Sequence, residues 1–371
     1  MSVAIVNQPC LNRDRGSLEF EGDAGDSLPF VSVIMPVRNE RNCIEASLGA
    51  VLRQDYPSER MEVIVADGMS TDGTRDVVKA RQIGYPNLRM IDNPGKIVPT
   101  GLNAALAQAR GSIIVRVDGH CEIACDYLSR SVEHLSSNRA DIVGGTLETI
   151  GDTPIACVIA LAMSSRFGVG NSAFRTNPNK TIMVDTVAFP AYTRAILDRG
   201  GFFDEELVRN QDDEYSYRLR ELGARILLAA DIRAKYYCRA SLRSLWRQYF
   251  QYGYWKVRVM QKRTGQMRLR QLAPPAFVAA LAVSLLLAPF SNAGGWALAL
   301  VGGSYLSAAI GAAAMSCRSW KGHRKGILVL LPVCFAILHS AYGSGFLVGL
   351  VRFCNRWKFK EPPIPSGALA E

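Results

Sequence analysis

A carboxylate and an imidazole stand two residues apart in the segment 113–122, IIVRVDGHCE. The apolar run that begins this segment is typical of a buried strand of a parallel sheet, and it predicts that Asp118 and His120 follow the end of that strand. Because open α/β sheets bind ligands outside the carboxyl ends of their strands, these two side chains could hold a divalent cation there. Gly119 between them leaves room for a ligand to approach the backbone. A plain turn without a metal is the alternative.

Polar side chains also follow the first two predicted strands. Residues 30–35, FVSVIM, lead into the sequence PVRNE, and residues 62–66, EVIVA, lead into Asp67. These groups therefore align with Asp118 at strand ends, which is where the ligand crevice is expected. Asp67 has a second possible role, as the turn-forming residue before Gly68.

A further cluster of acids lies far downstream, in the sequence NQDDE. This cluster opens the predicted helix 209–223, which ends in a glycine as helices commonly do. Acidic side chains are favourable at a helix N-terminus because of the helix dipole, and this explains Asp213 and Glu214 without a chemical role. Asp212 is the candidate for chemistry.

Strands and helices alternate through the first part of the chain, and this alternation predicts an α/β fold with a mostly parallel sheet covered on both faces. The pattern loosens after residue 151, as expected where acceptor-binding elements attach. The predicted elements are strand 30–35, helix 41–54, strand 62–66, helix 74–83, strand 88–91, helix 99–109, strand 112–117, helix 126–137 and strand 142–149.

The composition indicates a membrane part. Of the 371 residues, 49% are hydrophobic and only 20% are charged, and the formal net charge is +10. No Asp or Glu occurs from residue 232 to residue 360, whereas Lys and Arg recur in this region. A basic region beside apolar segments favours binding to a membrane surface on the cytoplasmic side over binding to nucleic acid.

Three apolar stretches follow, at residues 272–291, 294–315 and 327–351. The first two are long enough to cross about 30 Å of hydrocarbon, and the positive-inside rule places the basic segment 318–325 in the cytoplasm. The third stretch contains Pro332 and is followed by more basic residues. Three spans are therefore predicted, with a re-entrant third segment as the alternative.

These features predict five parts: a loose tail at 1–28, a catalytic domain at 29–240, a basic and aromatic helix region at 241–271, membrane segments at 272–351 and a basic tail at 352–371. The aromatic and basic side chains of the connecting region suit a helix that lies in a bilayer interface. A core helix of the catalytic domain is the alternative for that region.

The chain resembles the family 2 inverting glycosyltransferases of the GT-A fold over residues 30–262. The resemblance is carried by pieces that occur in the family's order: SVIMPVRNE, EVIVADGMSTDGT, GKIVPTGLNAALAQARGSIIVRVDGH, GGFFDEEL and NQDDEYSYRLRELG. Within the family it is similar to ExoA-type exopolysaccharide enzymes, in which DGH replaces the usual DxD and basic apolar hairpins follow the catalytic domain. The resemblance implies a GT-A, Rossmann-like catalytic domain followed by C-terminal transmembrane helices.

The resemblance also implies roles for individual residues. Asp67 would accept hydrogen bonds from uracil, although Ala66 departs from the family's common double Asp. Asp118 and His120 would bind Mn or Mg, which acts as a Lewis acid on the leaving diphosphate, and the imidazole favours Mn. Asp212 aligns with the second letter of the family's ED pair and would be the general base.

Four more residues are expected to contact the nucleotide sugar: Pro36, Arg38, Glu40 and Lys96. Lys96, in the sequence NPGK, would add a second positive charge beside the diphosphate. An exposed loop lysine is the alternative for this residue.

The resemblance implies transfer of glucose from UDP-glucose, through a β-1,3 bond, to an undecaprenyl-diphosphate-linked acceptor at the bacterial plasma membrane, with the catalytic domain in the cytoplasm. The QxxRW element of processive family members is not present in that form, which favours addition of a single sugar over a processive synthase. A non-catalytic membrane scaffold with a degenerate transferase domain is the other alternative. The sequence lacks the GxGxxG of dinucleotide-binding oxidoreductases and the GxxxxGK[ST] of P-loop proteins.

Overall fold

The computed structural model describes residues 28–137, 139–177, 179–318 and 324–357. The predicted tail at 1–28 lies outside the described residues except for Leu28, and the predicted basic tail lies outside them beyond Trp357. The same is true of most of the basic segment between the second and third apolar stretches.

A single sheet organises the first part of the described chain. It has nine strands in the order β3-β2-β1-β4-β8-β6-β9-β5, with β7 paired to β9. The strands are β1 Val31–Val37, β2 Met61–Asp67, β3 Leu88–Asp92, β4 Ile113–Arg116, β5 Cys121–Ile123, β6 Ile142–Ile150, β7 Ile182–Met183, β8 Ala188–Thr193 and β9 Ile226–Tyr237.

The prediction of a parallel sheet is confirmed for the first four strands. β1 lies in the middle, parallel to β2 on one side and to β4 on the other, and β3 is parallel to β2. The rest of the sheet is mixed, because β8 runs antiparallel to both β4 and β6, and β5 and β7 run antiparallel to β9. β6 and β9 are parallel neighbours.

Helices cover both faces of the sheet, as the alternating pattern predicts. Every residue of β1 and β2 is buried, which is expected for parallel strands covered on both sides. Val33 of β1 packs in one core cluster with Ile44, and the adjacent Ile34 packs on the other face with Leu102. These helices are α1 Ile44–Leu52, α2 Thr74–Gln82, α3 Val98–Leu106, α4 Tyr127–Ser136, α5 Pro154–Ser164, α6 Arg166–Val169, α7 Ala173–Thr176, α8 Arg194–Gly200 and α9 Gln211–Glu221.

Four long helices form the remainder of the described chain: α10 Leu242–Lys262, α11 Leu269–Leu287, α12 Asn292–Arg318 and α13 Arg324–Arg352. The last three are long and apolar enough to cross a membrane. The third apolar stretch, for which a re-entrant path was the alternative, is one continuous helix that passes through Pro332. The described chain therefore contains three helices of spanning length, and their crossing of a membrane stays a prediction.

Helix α10 joins the domain that contains the sheet, which is the predicted catalytic domain, to the three apolar helices α11, α12 and α13. Its backbone approaches α13 closely, because a Cβ atom at Gly253 would lie 1.9 Å from the carbonyl oxygen of Tyr342. On its other side, Lys256 and Lys262 form ion pairs with Asp213 and Asp204 of the catalytic domain. The C-terminal half of α10 is therefore a core helix whose basic residues are paired.

Candidate active site

The strand ends that carry the predicted site residues meet at one edge of the sheet. In the β1–β2 pair Val37 is opposite Asp67, and in the β1–β4 pair Ile34 is opposite Arg116. Neighbouring strands lie about 4.8 Å apart, so the ends of β2 and β4 are separated by only the width of β1. The polar residues that follow these strands consequently border a common crevice.

Asp67 offers one unpaired oxygen in a buried position. The residue is fully buried, and its Oδ2 accepts hydrogen bonds from Arg75 at 2.7 Å and from the backbone N–H of Ser70 at 2.9 Å. Its Oδ1 has no hydrogen-bond partner within the described part of the chain. A buried acceptor without a partner is costly, so an N–H group of a ligand would stabilise it.

Two of the residues that are predicted to bind the nucleotide sugar, Arg38 and Lys96, are in contact near this edge of the sheet. The Arg38 guanidinium donates to the backbone carbonyl of Lys96 at 3.1 Å, and Lys96 has a left-handed backbone with φ of 59°. The side chain of Lys96 is exposed. Pro36 lies inside β1, opposite Ala66 of β2, and is buried.

His120 is oriented by Glu40. Its Nδ1 lies 3.0 Å from the Glu40 Oε1, and its ring lies edge-on to Tyr236 with 5.3 Å between the ring centroids. When Nδ1–H donates to the carboxylate, Nε2 carries the free lone pair. Histidines that bind metals commonly donate their other N–H to a carboxylate in this way.

Gly119 has a role that differs from the sequence prediction. A Cβ atom here would lie 3.0 Å from Val37 Cγ1 and 3.1 Å from Glu40 Cγ. The space beside this glycine is therefore filled by the protein's own side chains, and the glycine allows the loop to pack closely on the end of β1.

A buried arginine connects two of the predicted carboxylates. Arg116 Nε and Nη2 donate to the two oxygens of Asp118 at 3.0 and 3.2 Å, and Arg116 Nη1 lies 3.9 Å from Asp212 Oδ2. Burial alone would lower the pKa of the guanidinium, but the charges of Asp118 and Asp212 outweigh burial and raise it. Arg116 is therefore a fixed cation between the two acids.

Asp212 is the acid of its cluster that faces open space. Asp213 is paired with Lys256, and Glu214 is buried against Arg218, so both have structural partners. The Asp212 side chain is 52% exposed, into a cavity. The other half of the side chain is covered by protein atoms, and the resulting loss of hydration raises the pKa of the Asp212 carboxyl. The nearby charge of Arg116 opposes that rise.

The cavity beside Asp212 extends to the membrane helices. It has a volume of about 1270 Å³, and its lining includes Asp118 and Asp212. It is also lined by Phe277, Tyr305 and His339 of α11, α12 and α13. Asp67 and His120 are not among its lining residues.

A series of hydrogen bonds links the apolar helices to α6 at the wall of this cavity. His339 Nε2–H donates to the carbonyl oxygen of Phe167 at 2.9 Å, and the Tyr305 hydroxyl donates to His339 Nδ1 at 2.8 Å. Phe167 belongs to α6 of the catalytic domain, so the catalytic domain and the membrane helices form a shared cavity wall.

The structure thus brings the predicted residues together in three groups. Asp118 and Asp212 are joined through Arg116, His120 is joined to Glu40, and Arg38 is joined to the Lys96 backbone. Within the described residues, no three His, Cys, Asp or Glu side chains form a group that could hold a metal ion. The groups available to a cation are the Nε2 of His120 and the remaining lone pairs of Asp118, whose two oxygens already accept hydrogen bonds from Arg116, so a cation here would take its other ligands from a substrate, as Mg commonly does with phosphates.

The sequence of the chain is similar to that of known glycosyltransferases. Residues 32–201 match the family described as Glycosyl transferase family 2. The chain is 30% identical over 333 residues to the succinoglycan biosynthesis protein ExoA of Rhizobium meliloti (strain 1021), and the match covers 87% of this chain and 96% of that protein. The chain belongs to glycosyltransferase family 2.

Two further similarities agree with this assignment. This family 2 glycosyltransferase is 24% identical over 337 residues to the dolichyl N-acetyl-alpha-D-glucosaminyl phosphate 3-beta-D-2,3-diacetamido-2,3-dideoxy-beta-D-glucuronosyltransferase of Methanococcus voltae, across 89% of this chain and 99% of that protein. Its fold is similar to that of the mannosyltransferase PcManGT from Pyrobaculum calidifontis, solved in complex with GDP-Man and Mn²⁺, with a TM-score of 0.55 and 20% identity over 87% of this chain and 88% of that one. The predicted GT-A fold is thereby confirmed.

Two residues of this glycosyltransferase site were not singled out from the sequence, Arg75 and Arg116. Arg75 joins Asp67 to Asp92, and its Nη2 donates to Asp92 Oδ1 at 2.8 Å. Arg116 interrupts the apolar run IIVRV, and a charged residue inside a buried strand needs a partner. The charged residue within this apolar run was therefore the feature of the sequence that could have indicated a role for Arg116.

Proposed function

We propose that this family 2 glycosyltransferase is a membrane-anchored inverting enzyme that moves a hexose from a UDP-sugar to a polyprenyl-diphosphate-linked acceptor during assembly of an exopolysaccharide repeat unit. The observation that carries the proposal is the cavity that runs from Asp118 and Asp212 to the three apolar helices. An acceptor with a polar sugar and a lipid tail needs a path of this kind. The names of the Rhizobium and Methanococcus relatives, one in succinoglycan biosynthesis and one acting on a dolichyl phosphate sugar, support it.

The donor nucleotide binds on the Asp67 side of the strand ends. The unpaired Oδ1 of Asp67 accepts the N–H of the uracil ring, and Arg75 binds the other oxygen of the same carboxylate. Pro36, Arg38 and Lys96 border the rest of the nucleotide. The exposed ammonium of Lys96 adds positive charge beside the diphosphate.

Asp118 and His120 would hold a divalent cation, Mn or Mg, beside the donor diphosphate. The bound ion supplies Lewis-acid charge that neutralises the leaving diphosphate. Glu40 fixes the tautomer of His120 so that Nε2 presents its lone pair. Arg116 binds both oxygens of Asp118 and orients that carboxylate.

Asp212 acts as the general base. It takes the proton from the acceptor hydroxyl while the hydroxyl oxygen forms a bond to the anomeric carbon, and the electron pair of the breaking C1–O bond leaves with UDP. A positioned base of this kind contributes roughly 10²–10⁴ in rate. The displacement proceeds in one step with an oxocarbenium-like transition state, so an α-linked donor gives a β-linked product.

The proposal includes a multi-pass protein of a bacterial plasma membrane, with the catalytic domain on the cytoplasmic side. The basic residues ahead of α11 and the lack of acids through residues 232–360 support this orientation. Glucose as the sugar and a β-1,3 bond complete the proposal, and these two details rest on the resemblance to ExoA-type enzymes.

A membrane-fraction assay tests the proposal. Membranes that contain the full chain are incubated with a panel of UDP-sugars and a polyprenyl-diphosphate-linked acceptor, with and without Mn²⁺. We expect one hexose to be added from UDP-glucose, and we expect Asp118→Ala and Asp212→Asn to abolish the transfer, with UDP binding retained in Asp212→Asn. UDP binding by the native chain without any transfer would instead identify a scaffold.

A further inference from the structure

The cavity beside Asp212 has a surplus of positive charge. Among the described residues its lining includes four carboxylates, those of Asp118, Asp185, Asp212 and Asp213. Its basic lining residues are Arg116, Arg175, Arg220, Arg225, Lys256, Arg268 and Arg270. A cavity with this balance attracts an anionic ligand.

Most of these cations already have an acidic partner. Arg116 binds Asp118, and Lys256 binds Asp213. Arg220 and Arg268 share Asp185, at 3.2 and 2.5 Å. Arg225 binds Asp141 at 3.3 Å, so five of the seven lining cations have a carboxylate partner among the described residues.

Two of the lining cations have only uncharged hydrogen-bond partners among the described residues: Arg270, which is exposed and donates to the backbone carbonyl of Asn171, and Arg175, which is half-buried. Its Nη1 donates to Thr149 Oγ1 at 2.5 Å, and its Cζ lies 5.1 Å from the ring centroid of Tyr236 and 5.6 Å from that of Phe174. No described carboxylate forms an ion pair with it. A half-buried guanidinium that lacks a counter-ion is costly, and an anion in the cavity would offset that cost.

The position of Arg175 connects it to the reacting groups. Tyr236, over which the guanidinium lies, also contacts the ring of His120 edge-on, with the ring centroids 5.3 Å apart. Arg175 is thus separated from the proposed cation site by one aromatic ring. It also lines the same cavity as Asp118 and Asp212.

We propose that Arg175 binds a phosphate oxyanion of a substrate in this cavity. The guanidinium offers a planar pair of N–H donors that matches a phosphate, and its contacts with Tyr236 and Thr149 hold it in place before the substrate arrives. The inference rests on the proposed function. The phosphate has two possible sources, the diphosphate of the donor nucleotide and the diphosphate of the lipid carrier, and both present the same oxyanion.

Direct binding measurements test the inference without requiring sugar transfer. Full-length protein in detergent is titrated with UDP and, separately, with farnesyl diphosphate, in native form and as Arg175→Gln. A lost charged hydrogen bond should weaken binding of one of the two probes by about tenfold to a hundredfold, and Arg175→Lys should restore part of it. Weaker UDP binding assigns the donor diphosphate, and weaker farnesyl diphosphate binding assigns the lipid carrier.

The matched control is Lys180→Gln, which removes the same charge at an exposed position shortly after α7 that does not line the cavity. We expect it to bind both probes as the native protein does. If folded Arg175→Gln also binds both probes with native affinity, the inference is overturned.

A second measurement uses only the native protein, so it does not depend on the folding of a variant. Arginines are modified with phenylglyoxal in the presence of UDP, of farnesyl diphosphate or of neither, and the peptide that contains Arg175 is quantified by mass spectrometry. Protection by either probe supports the inference, and equal modification in all three samples overturns it. A chain that transfers no sugar but protects Arg175 would refute the proposed function alone.

Discussion

Arg116 binds Asp118 through two hydrogen bonds and lies 3.9 Å from Asp212, so one buried cation orients one acid and neutralises part of the charge of the other. The two acids come from sequence positions almost a hundred residues apart. Their coupling means that the proposed metal-binding carboxylate and the proposed base cannot be altered independently.

Arg116→Gln tests this coupling. The substitution leaves Asp118 without its charged partner, and breaking a buried ion pair typically costs about 3–5 kcal/mol. We expect a lower melting temperature and a large loss of kcat. Arg116→Lys keeps the charge but not the paired hydrogen bonds, so it should retain more stability than activity. Native kcat in a folded Arg116→Gln protein would contradict the orienting role.

The raised pKa of the Asp212 carboxyl predicts how the rate of the reaction depends on pH. Because burial raises the pKa of this carboxyl, the ionised base is lost as the pH falls at a value higher than the usual Asp pKa of about 3.9. We expect kcat to rise with pH through this raised pKa and then to level off. The charge of Arg116 lowers the pKa of Asp212, so any residual activity of Arg116→Gln should show its acid limb at a higher pH than native. An acid limb at an unchanged pH in Asp212→Glu and Arg116→Gln would argue against Asp212 as the base.

Asp67→Asn tests the nucleotide site. The amide replaces one carboxylate oxygen by a donor, removes the charge paired with Arg75 and disfavours the uracil N–H. UDP affinity should fall by about tenfold to a hundredfold, with little change in kcat at saturating donor. The control is Asp92→Asn, because Asp92 binds the same arginine but its side chain is 57% exposed. We expect it to change UDP affinity much less, as measured by calorimetry.

Glu40→Gln tests how His120 is prepared for a cation. A neutral partner no longer favours the tautomer that leaves Nε2 free, and loss of such a partner typically lowers metal affinity by 10–100-fold. The Mn²⁺ concentration that gives half-maximal activity should rise accordingly, and chelation of the metal should abolish activity in both proteins. Glu45→Gln, at a half-exposed side chain that pairs with Arg81, is the control and should behave as native.

The contact of α10 with α13 predicts a difference between two glycines. A Cβ atom at Gly345 would lie 2.0 Å from the carbonyl oxygen of Phe250, whereas nothing lies within 4 Å of the corresponding position at Gly303. Gly345→Ala should therefore separate the helices and lower stability by about 1–3 kcal/mol or more. Gly303→Ala should be neutral or slightly stabilising, since alanine favours a helix. Equal melting temperatures for the two variants in detergent would show that the close packing does not matter.

Local patterns in the sequence were sufficient for the first half of the sheet. Each of β1, β2 and β4 is a mostly apolar segment that leads into polar residues, and the structure places those ends side by side. The antiparallel course of β8 was not predicted, since nothing in the loosened pattern after residue 151 specifies which strand it joins. That partner is decided by packing between distant segments.

The site shows the same division. The residue types of Asp118, His120 and Asp212 indicated chemistry, but the sequence did not show that Arg116 would couple two of them. Gly119 illustrates why. Its neighbours Val37 and Glu40 lie far away in the chain, and only the fold brings them within 3.1 Å of the point that a Cβ atom at residue 119 would occupy. Contacts of this kind depend on tertiary structure rather than on local sequence.

The hydrogen bond from His339 to Phe167 has a consequence for how this enzyme is handled. Because the reaction chamber is lined both by residues of α6 and by the apolar helices α11, α12 and α13, a truncation ahead of α11 would yield an open half-chamber rather than a complete enzyme. A change in bilayer thickness that tilts α13 would pull on α6 directly. The surrounding lipid would then act as a determinant of turnover, beyond its role as a support.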